Sequence, residues 1–250
     1  MATTMPVPEE QPAISPVGRI TGVFFSPGAT FRDIARKPTW LAPMALLILV
    51  WICLNAVMVQ RADWIEVSKE QIAKSKFASR QFDQLNEDQK GPAYEQAAKR
   101  AKVVRYVRGV VGWPLFILFS AGLYFGAFRL IGGARLNFGT AFAITTFAHL
   151  PLGLRELIAI PVMYLKDPAS IDPENFLASN PAALLGDLPT WQMIPLASID
   201  LFALWALALM AIGFSAADPK KVPTGKSFGI VGAVWASLIL FFTMLTWVFS

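Results

Sequence analysis

The chain has 250 residues, of which 55% are hydrophobic and only 16% charged, with a formal net charge of +5. Soluble domains carry about 25% charged residues, so this depletion excludes an ordinary water-soluble fold and points to a membrane protein. The basic residues lie beside apolar runs, which favours anionic headgroups and positive-inside topology over nucleic acid as the source of the charge.

Residues 1–17 (MATTMPVPEEQPAISPV) are polar and proline-rich and read as a disordered tail. Next comes RITGVFFSPGATFRDIARKP. Ser26-Pro27 reads as a helix start, with proline at the first helical position. Phe31 and Ile34 share one face, while Arg32, Asp33, Arg36 and Lys37 fall elsewhere. This pattern predicts a short helix lying in the membrane interface.

Five blocks reach the roughly 20 apolar residues that a spanning helix needs. They cover about 39–60, 110–131, 138–165, 193–216 and 228–249. The first would act as an uncleaved insertion signal. Lipid cannot satisfy exposed backbone groups, so all five are expected to be helical. Trp40, Trp113, Trp191 and Trp247 mark block ends, where indole prefers the headgroup layer. Trp51, Trp205 and Trp235 sit deeper and suit helix packing.

Residues 61–108 form a polar insertion. Ile65, Ile72, Phe77, Phe82 and Leu85 recur at helical spacing, and Gly91-Pro92 predicts a break. The following run, YEQAAKRAKVVRYVR, is expected to continue directly into the second span. The segment 166–192 reads as an acidic, irregular, water-facing loop with Asp167, Asp172, Glu174 and Asp187 against Lys166.

A cytoplasmic N-terminus places most flanking basic residues and both short turns inside, and the acidic loop outside. Lys99, Arg100, Lys102, Arg105 and Arg108 then fall outside, against the positive-inside tendency. The expectation remains N-inside.

The candidate site is in the third block, TTFAHLPLGLRELIAIP (145–161). It holds the single histidine, His149, and the pair Arg155 and Glu156. At about 100° per residue, Thr145, His149, Leu152 and Glu156 share one face, with Arg155 about 100° away. A charge at the bilayer centre costs at least about 2.5–3.5 kcal/mol, so such groups turn inward. Asp200, in the fourth block, is the expected partner that would let Arg155 pin the third span to the fourth. The functional alternative is a proton or ion relay through His149, Glu156 and Asp200. Pro151 and Pro161 predict a kink or break nearby.

Gly122 and Gly126 have GxxxG spacing, which predicts close packing within the bundle, with dimerisation as the alternative. Gly225-Lys226-Ser227 resembles the tail of a phosphate-binding loop, but Lys220 stands where the pattern needs glycine, so no nucleotide site is read. Cys53 has no cysteine partner. No triad, metal-ligand spacing or dinucleotide fingerprint is present, so neither an enzyme nor a cofactor is expected.

FFSPGATFRDIARKPTWLAPM, GGARLNFGTAFAITTFAHLP and the SFG that opens the last block resemble the YIP1 family in its bacterial form, over roughly 18–249. The resemblance implies an all-α, polytopic membrane protein with five transmembrane helices and a cytoplasmic N-terminus. To these the residue pattern adds the short interfacial helix and the helical polar insertion. Eukaryotic members contact Rab-type GTPases. This chain lacks their aspartate-leucine-tyrosine-glycine-proline signature, so a GTPase partner is not carried over. The implied function is non-enzymatic: membrane organisation or partner-protein scaffolding. A small transporter or channel with an intramembrane polar site is the alternative. The expected partners are the lipid bilayer and either other membrane proteins or further copies of the chain. The implied location is the plasma (inner) membrane for a bacterial chain, or the endoplasmic reticulum and Golgi for a eukaryotic one.

Overall fold

The computed structural model describes residues 14–168, 171, 176–185 and 188–249, and the described residues are helical with no strand. Asp172, Glu174 and Asp187 of the acidic loop lie outside the described residues, as does most of the tail. In chain order the helices are α1 (Pro16–Phe25), α2 (Pro27–Arg36), α3 (Leu41–Arg61), α4 (Trp64–Lys74), α5 (Lys76–Asp83) and α6 (Glu87–Val107). A π-helical turn, Arg108–Gly112, leads into α7 (Trp113–Leu130). Then come α8 (Phe138–Ala148), α9 (Leu150–Leu165), α10 (Thr190–Ser198), α11 (Leu201–Ala217) and α12 (Thr224–Phe249).

Four helical runs are long and apolar enough to cross a membrane: Leu41–Arg61, Glu87–Leu130, Phe138–Leu165 and Thr224–Val248. The bent pair of α10 and α11, which meet at 59°, makes a fifth if the two are counted as one broken span. The fourth block therefore breaks where the sequence predicts continuity. Asp200 is the reason. Its backbone is extended, and its carboxylate accepts from the N–H groups of Phe202 and Ala203, replacing helical carbonyls and starting α11 anew.

The third block also divides, between α8 and α9, but the break falls at His149 rather than at a proline. Pro151 sits in the first turn of α9, where its missing N–H costs nothing. Pro161 lies inside α9 without interrupting it.

The region before the first span forms two helices that pack against the bundle. Helix α1 already begins at Pro16, within the predicted tail, with Ser15 accepting from the Gly18 N–H. Together α1 and α2 form a hairpin that dips into the bundle. Phe31 and Ile34 are fully buried, and Phe31 packs beside Gly213. Phe24 meets Trp205 edge-on at 5.4 Å. At 1.5 Å per residue, Trp205 lies roughly 18 Å along α11 from its Ala217 end. The apolar stripe of α2 thus faces protein, not headgroups. Arg19 closes the hairpin: Nε donates to Asp33 Oδ2 at 2.7 Å, and Nη1 donates to the Lys37 carbonyl at 2.9 Å and Thr39 Oγ1 at 2.7 Å.

The core on this side joins α2, α7, α8, α11 and the start of α12. Apolar burial gives little drive between helices in lipid, so small residues and interhelical hydrogen bonds carry the packing. Ala141, Ala143, Ala148 and Ala211 are fully buried, and a Cβ on Gly213 would come within 2.5 Å of Ile144. Phe128 stacks on Phe214 at 4.1 Å. Lys226 and Ser227, from the rejected phosphate-loop motif, tie the turns together. Lys226 Nζ donates to the Gly132 carbonyl at 2.7 Å, and Ser227 Oγ to the Ala211 carbonyl at 2.6 Å. Gly133, at φ 68°, reverses the chain so that the Ala134 N–H can reach the Phe128 carbonyl.

At the opposite side the polar insertion folds as α4, α5 and α6. Its break comes earlier than Gly91-Pro92 predicts. Asn86 and Gln89 form a capping box that starts α6, and Pro92 is accommodated inside that helix. Phe82 and Tyr94 hold the hairpin together at 4.9 Å. As the sequence predicts, α6 runs on into the second span, giving 44 continuous helical residues. Described residues that follow α9 pack back over this end. Ile171 and Phe176 are buried with Leu54, Met58, Trp64 and Met163, and Lys166 Nζ donates to the Phe176 carbonyl at 3.0 Å.

Candidate functional site

Arg155 lies roughly 25 Å along the third span from Phe138 at 1.5 Å per residue, close to the far side of a core about 30 Å thick. The charged residues that seem central in sequence are therefore near the loop-covered end. Arg155 Nη2 donates to Glu156 Oε1 at 2.8 Å, and its Nη1 stands 3.8 Å from Asp200 Oδ2. Glu156 and Asp200 are 1% and 2% exposed. Asp200 has a further partner from the loop, the hydroxyl of Ser179, which donates to Oδ2. The Arg155 guanidinium also lies over the Phe176 ring at 5.6 Å. Arg155, Glu156 and Asp200 thus meet, linking α9, the α10–α11 elbow and the loop.

Arg105 and Asn55 belong to the same neighbourhood and were not singled out from sequence. Asn55, buried in α3, donates to the Trp51 carbonyl at 2.7 Å and accepts from Arg105 Nε at 2.7 Å. Arg105 also lies over the Trp51 ring at 5.5 Å and acts electrostatically on Glu156. The readable signal was an asparagine inside an otherwise apolar span. Close approach at this point requires Gly109: a Cβ there would lie 2.5 Å from the Trp51 ring.

His149 stands apart. Its Nδ1 pairs with the Thr145 carbonyl at 2.7 Å, and its ring is edge-on to Phe116 at 5.4 Å and to Trp113 at 6.4 Å. The structure gives it no hydrogen bond to Glu156 or Asp200. Gly122 is exposed and Gly126 half-buried, and nothing among the described residues lies within 4 Å of a Cβ built on either. Among the described residues no neighbouring helix closes on this pair. Among the described residues no group of three or more His, Cys, Asp or Glu side chains could hold a metal.

The model of the Yip1 domain matches residues 21–245. The chain belongs to the Yip1 family. No curated protein and no solved structure matches it. Membership and the apolar helical spans together make it an integral membrane protein of Yip1 type. The matched region begins inside α1, so in this Yip1 domain most of the α1–α2 hairpin lies within the family's boundaries.

Proposed function

We propose that this Yip1-type protein is a non-enzymatic membrane organiser, which acts by holding the bilayer or partner proteins at its surface. The observation that carries this reading is the pairing of its embedded charges across neighbouring helices. Arg155 is engaged by Glu156 and Asp200, both carboxylates are buried, and His149 is held separately by a backbone carbonyl. That arrangement pins helices together, and it gives His149 no direct hydrogen bond to Glu156 or Asp200. The polar insertion supplies a surface for partners: it carries charges of both signs, and Phe77 on α5 is 74% exposed.

Proteoliposomes provide the test against the transporter reading. The full chain is expected to give no proton or ion flux above empty vesicles. Flux that disappears in both His149→Ala and Glu156→Gln would overturn the proposal. A photo-crosslinker at Phe77 should give discrete adducts in native membranes, and failure to form any would contradict the scaffold role.

The proposed orientation has a cytoplasmic N-terminus and the polar insertion on the opposite side, with the plasma membrane as the location in a bacterium. Cysteines placed at Ser75 and Asn180 should both label from the non-cytoplasmic side. Labelling of position 75 from the cytoplasm alone would reverse the assignment.

A further inference from the structure

Two adjoining cavities open on the face of the bundle, and the second reaches Arg155 and Asp200 of the pinning network. The first, about 460 Å³, separates α7 from α11 and α12 and is lined almost wholly by apolar groups, including Leu123, Met210, Trp235, Leu238 and Phe242. The second, about 470 Å³, is wider at its opening and carries Arg108, Trp113, Arg155 and Asp200. Phe116, Leu152 and Ala203 line both, so the apolar cavity and the charged mouth are continuous. Each lies in the size range of built ligand sites.

The chemistry at the mouth is directional. Arg108 is exposed, and among the described residues its guanidinium has no hydrogen-bond or ion-pair partner. It lies on the π-helical turn Arg108–Gly112, which bulges the long α6–α7 helix at this level. Such bulges occur often at functional sites. Arg155 offers a second, partly exposed guanidinium. Among the described residues Asp200 is the carboxylate that lines the mouth. Its oxygens are already occupied by two backbone N–H groups at the start of α11 and by the Ser179 hydroxyl. The positive end of that helix further offsets its charge. Arg155 is already paired with Glu156 and Asp200, so Arg108 is the rim cation left without a partner among the described residues, and it favours an anion. Trp113, at the start of α7, matches an indole placed at a headgroup layer.

We propose that this groove is a binding site for an anionic phospholipid, with the headgroup phosphate held by Arg108 and Arg155 and one acyl chain lying in the apolar cavity between α7, α11 and α12. Arginine suits the phosphate because its planar fork donates two hydrogen bonds at once. The site also accounts for a basic residue at a position that the positive-inside tendency disfavours.

The test uses the purified full chain in a neutral detergent and reads quenching of tryptophan fluorescence by lipids brominated on their acyl chains. Trp113 and Trp235 line the groove and report its occupancy. Brominated phosphatidylglycerol is expected to quench at about tenfold lower concentration than brominated phosphatidylcholine, the effect of a charge-assisted contact. Arg108→Gln should abolish that preference, and Ala206→Phe, which fills the apolar cavity, should weaken quenching by both lipids. Arg108 is exposed, so its variant carries the test even if Ala206→Phe fails to fold. Equal quenching by the two lipids in the unaltered chain would overturn the proposal. So would an unchanged preference in Arg108→Gln, or unchanged quenching in a folded Ala206→Phe. Displacement of phosphatidylglycerol by an equal concentration of inorganic phosphate would reassign the mouth to a free anion and likewise overturn the lipid site.

Discussion

Arg155 and Glu156 are neighbours in sequence whose positions on α9 diverge by about 100°, yet their side chains join at 2.8 Å. The arginine has to curl around the helix to make that contact, and in doing so it also reaches toward Asp200 at the α10–α11 elbow. One cation thus stands between two buried carboxylates. Removing it should be far worse than removing the whole set. Arg155→Gln is expected to destabilise the fold by about 3–5 kcal/mol, because it leaves buried charge uncompensated. Adding Glu156→Gln should restore part of the loss. Unfolding of both variants in mixed micelles measures this, and equal stability of the single variant and the unaltered chain would show that the pair is idle.

Asp200 has two duties that substitutions can separate. Asn keeps the capping oxygen but loses the charge, whereas Ala loses both. Asp200→Ala should therefore be less stable than Asp200→Asn by about 1 kcal/mol, the usual worth of an N-cap. Swapping charges through Arg155→Glu with Asp200→Arg should not rescue the single variants, since arginine cannot accept from the Phe202 and Ala203 N–H groups. Rescue in the same unfolding measurement would mean that the ion pair, not the cap, dominates at this position.

How far the sequence speaks for this fold depends on which solvent acts on each segment. The spanning blocks are legible because hydrocarbon demands long apolar helices, a constraint that leaves few alternatives. The start of α2 at Ser26-Pro27 is legible for a local reason, the geometry of proline. Its depth is not. An apolar stripe containing Phe31 and Ile34 looks the same whether lipid or α11 covers it, and only the Gly213 contact decides. The charged set was half legible. Arg155, Glu156 and Asp200 stand out in apolar runs, but Ser179, Asn55 and Arg105 come from segments distant in sequence. Sequence spacing also could not tell an idle glycine pair from one that is needed. Gly122 and Gly126 fit a familiar spacing, while Gly109 and Gly213 do the close packing without one.

That difference makes a direct comparison possible. Gly109→Ala would push a Cβ to 2.5 Å from the Trp51 ring. It should cost about 1–3 kcal/mol, as overpacking does. Gly122→Ala meets open space and should leave the isolated chain at least as stable. Reversed effects in thermal unfolding of the two variants would contradict the packing described here.

Arg19 is the corresponding lock on the α1–α2 hairpin, with a side chain only 4% exposed. Arg19→Met keeps much of its bulk but frees Asp33 and the Lys37 carbonyl. The hairpin should loosen locally, so that proteolysis within residues 16–36 becomes at least about tenfold faster, in line with loss of a buried pair. Unchanged cleavage kinetics would place the strength of the hairpin in Phe31 and Ile34 alone.

The central claim is that hydrocarbon surrounds five stretches of this chain while its embedded charges shelter among neighbouring helices. Collision measurements on nitroxide labels test it most directly, in a Cys53→Ser background with the chain in lipid bilayers. Labels at Phe119 and Leu240, both 62% exposed on the outside of the bundle, should meet dissolved oxygen and not a water-soluble nickel complex. A label at Phe77 on the polar insertion should show the reverse. Free access of the nickel complex to Phe119 and Leu240 would mean that water covers those faces, and the membrane-embedded fold described here would be wrong.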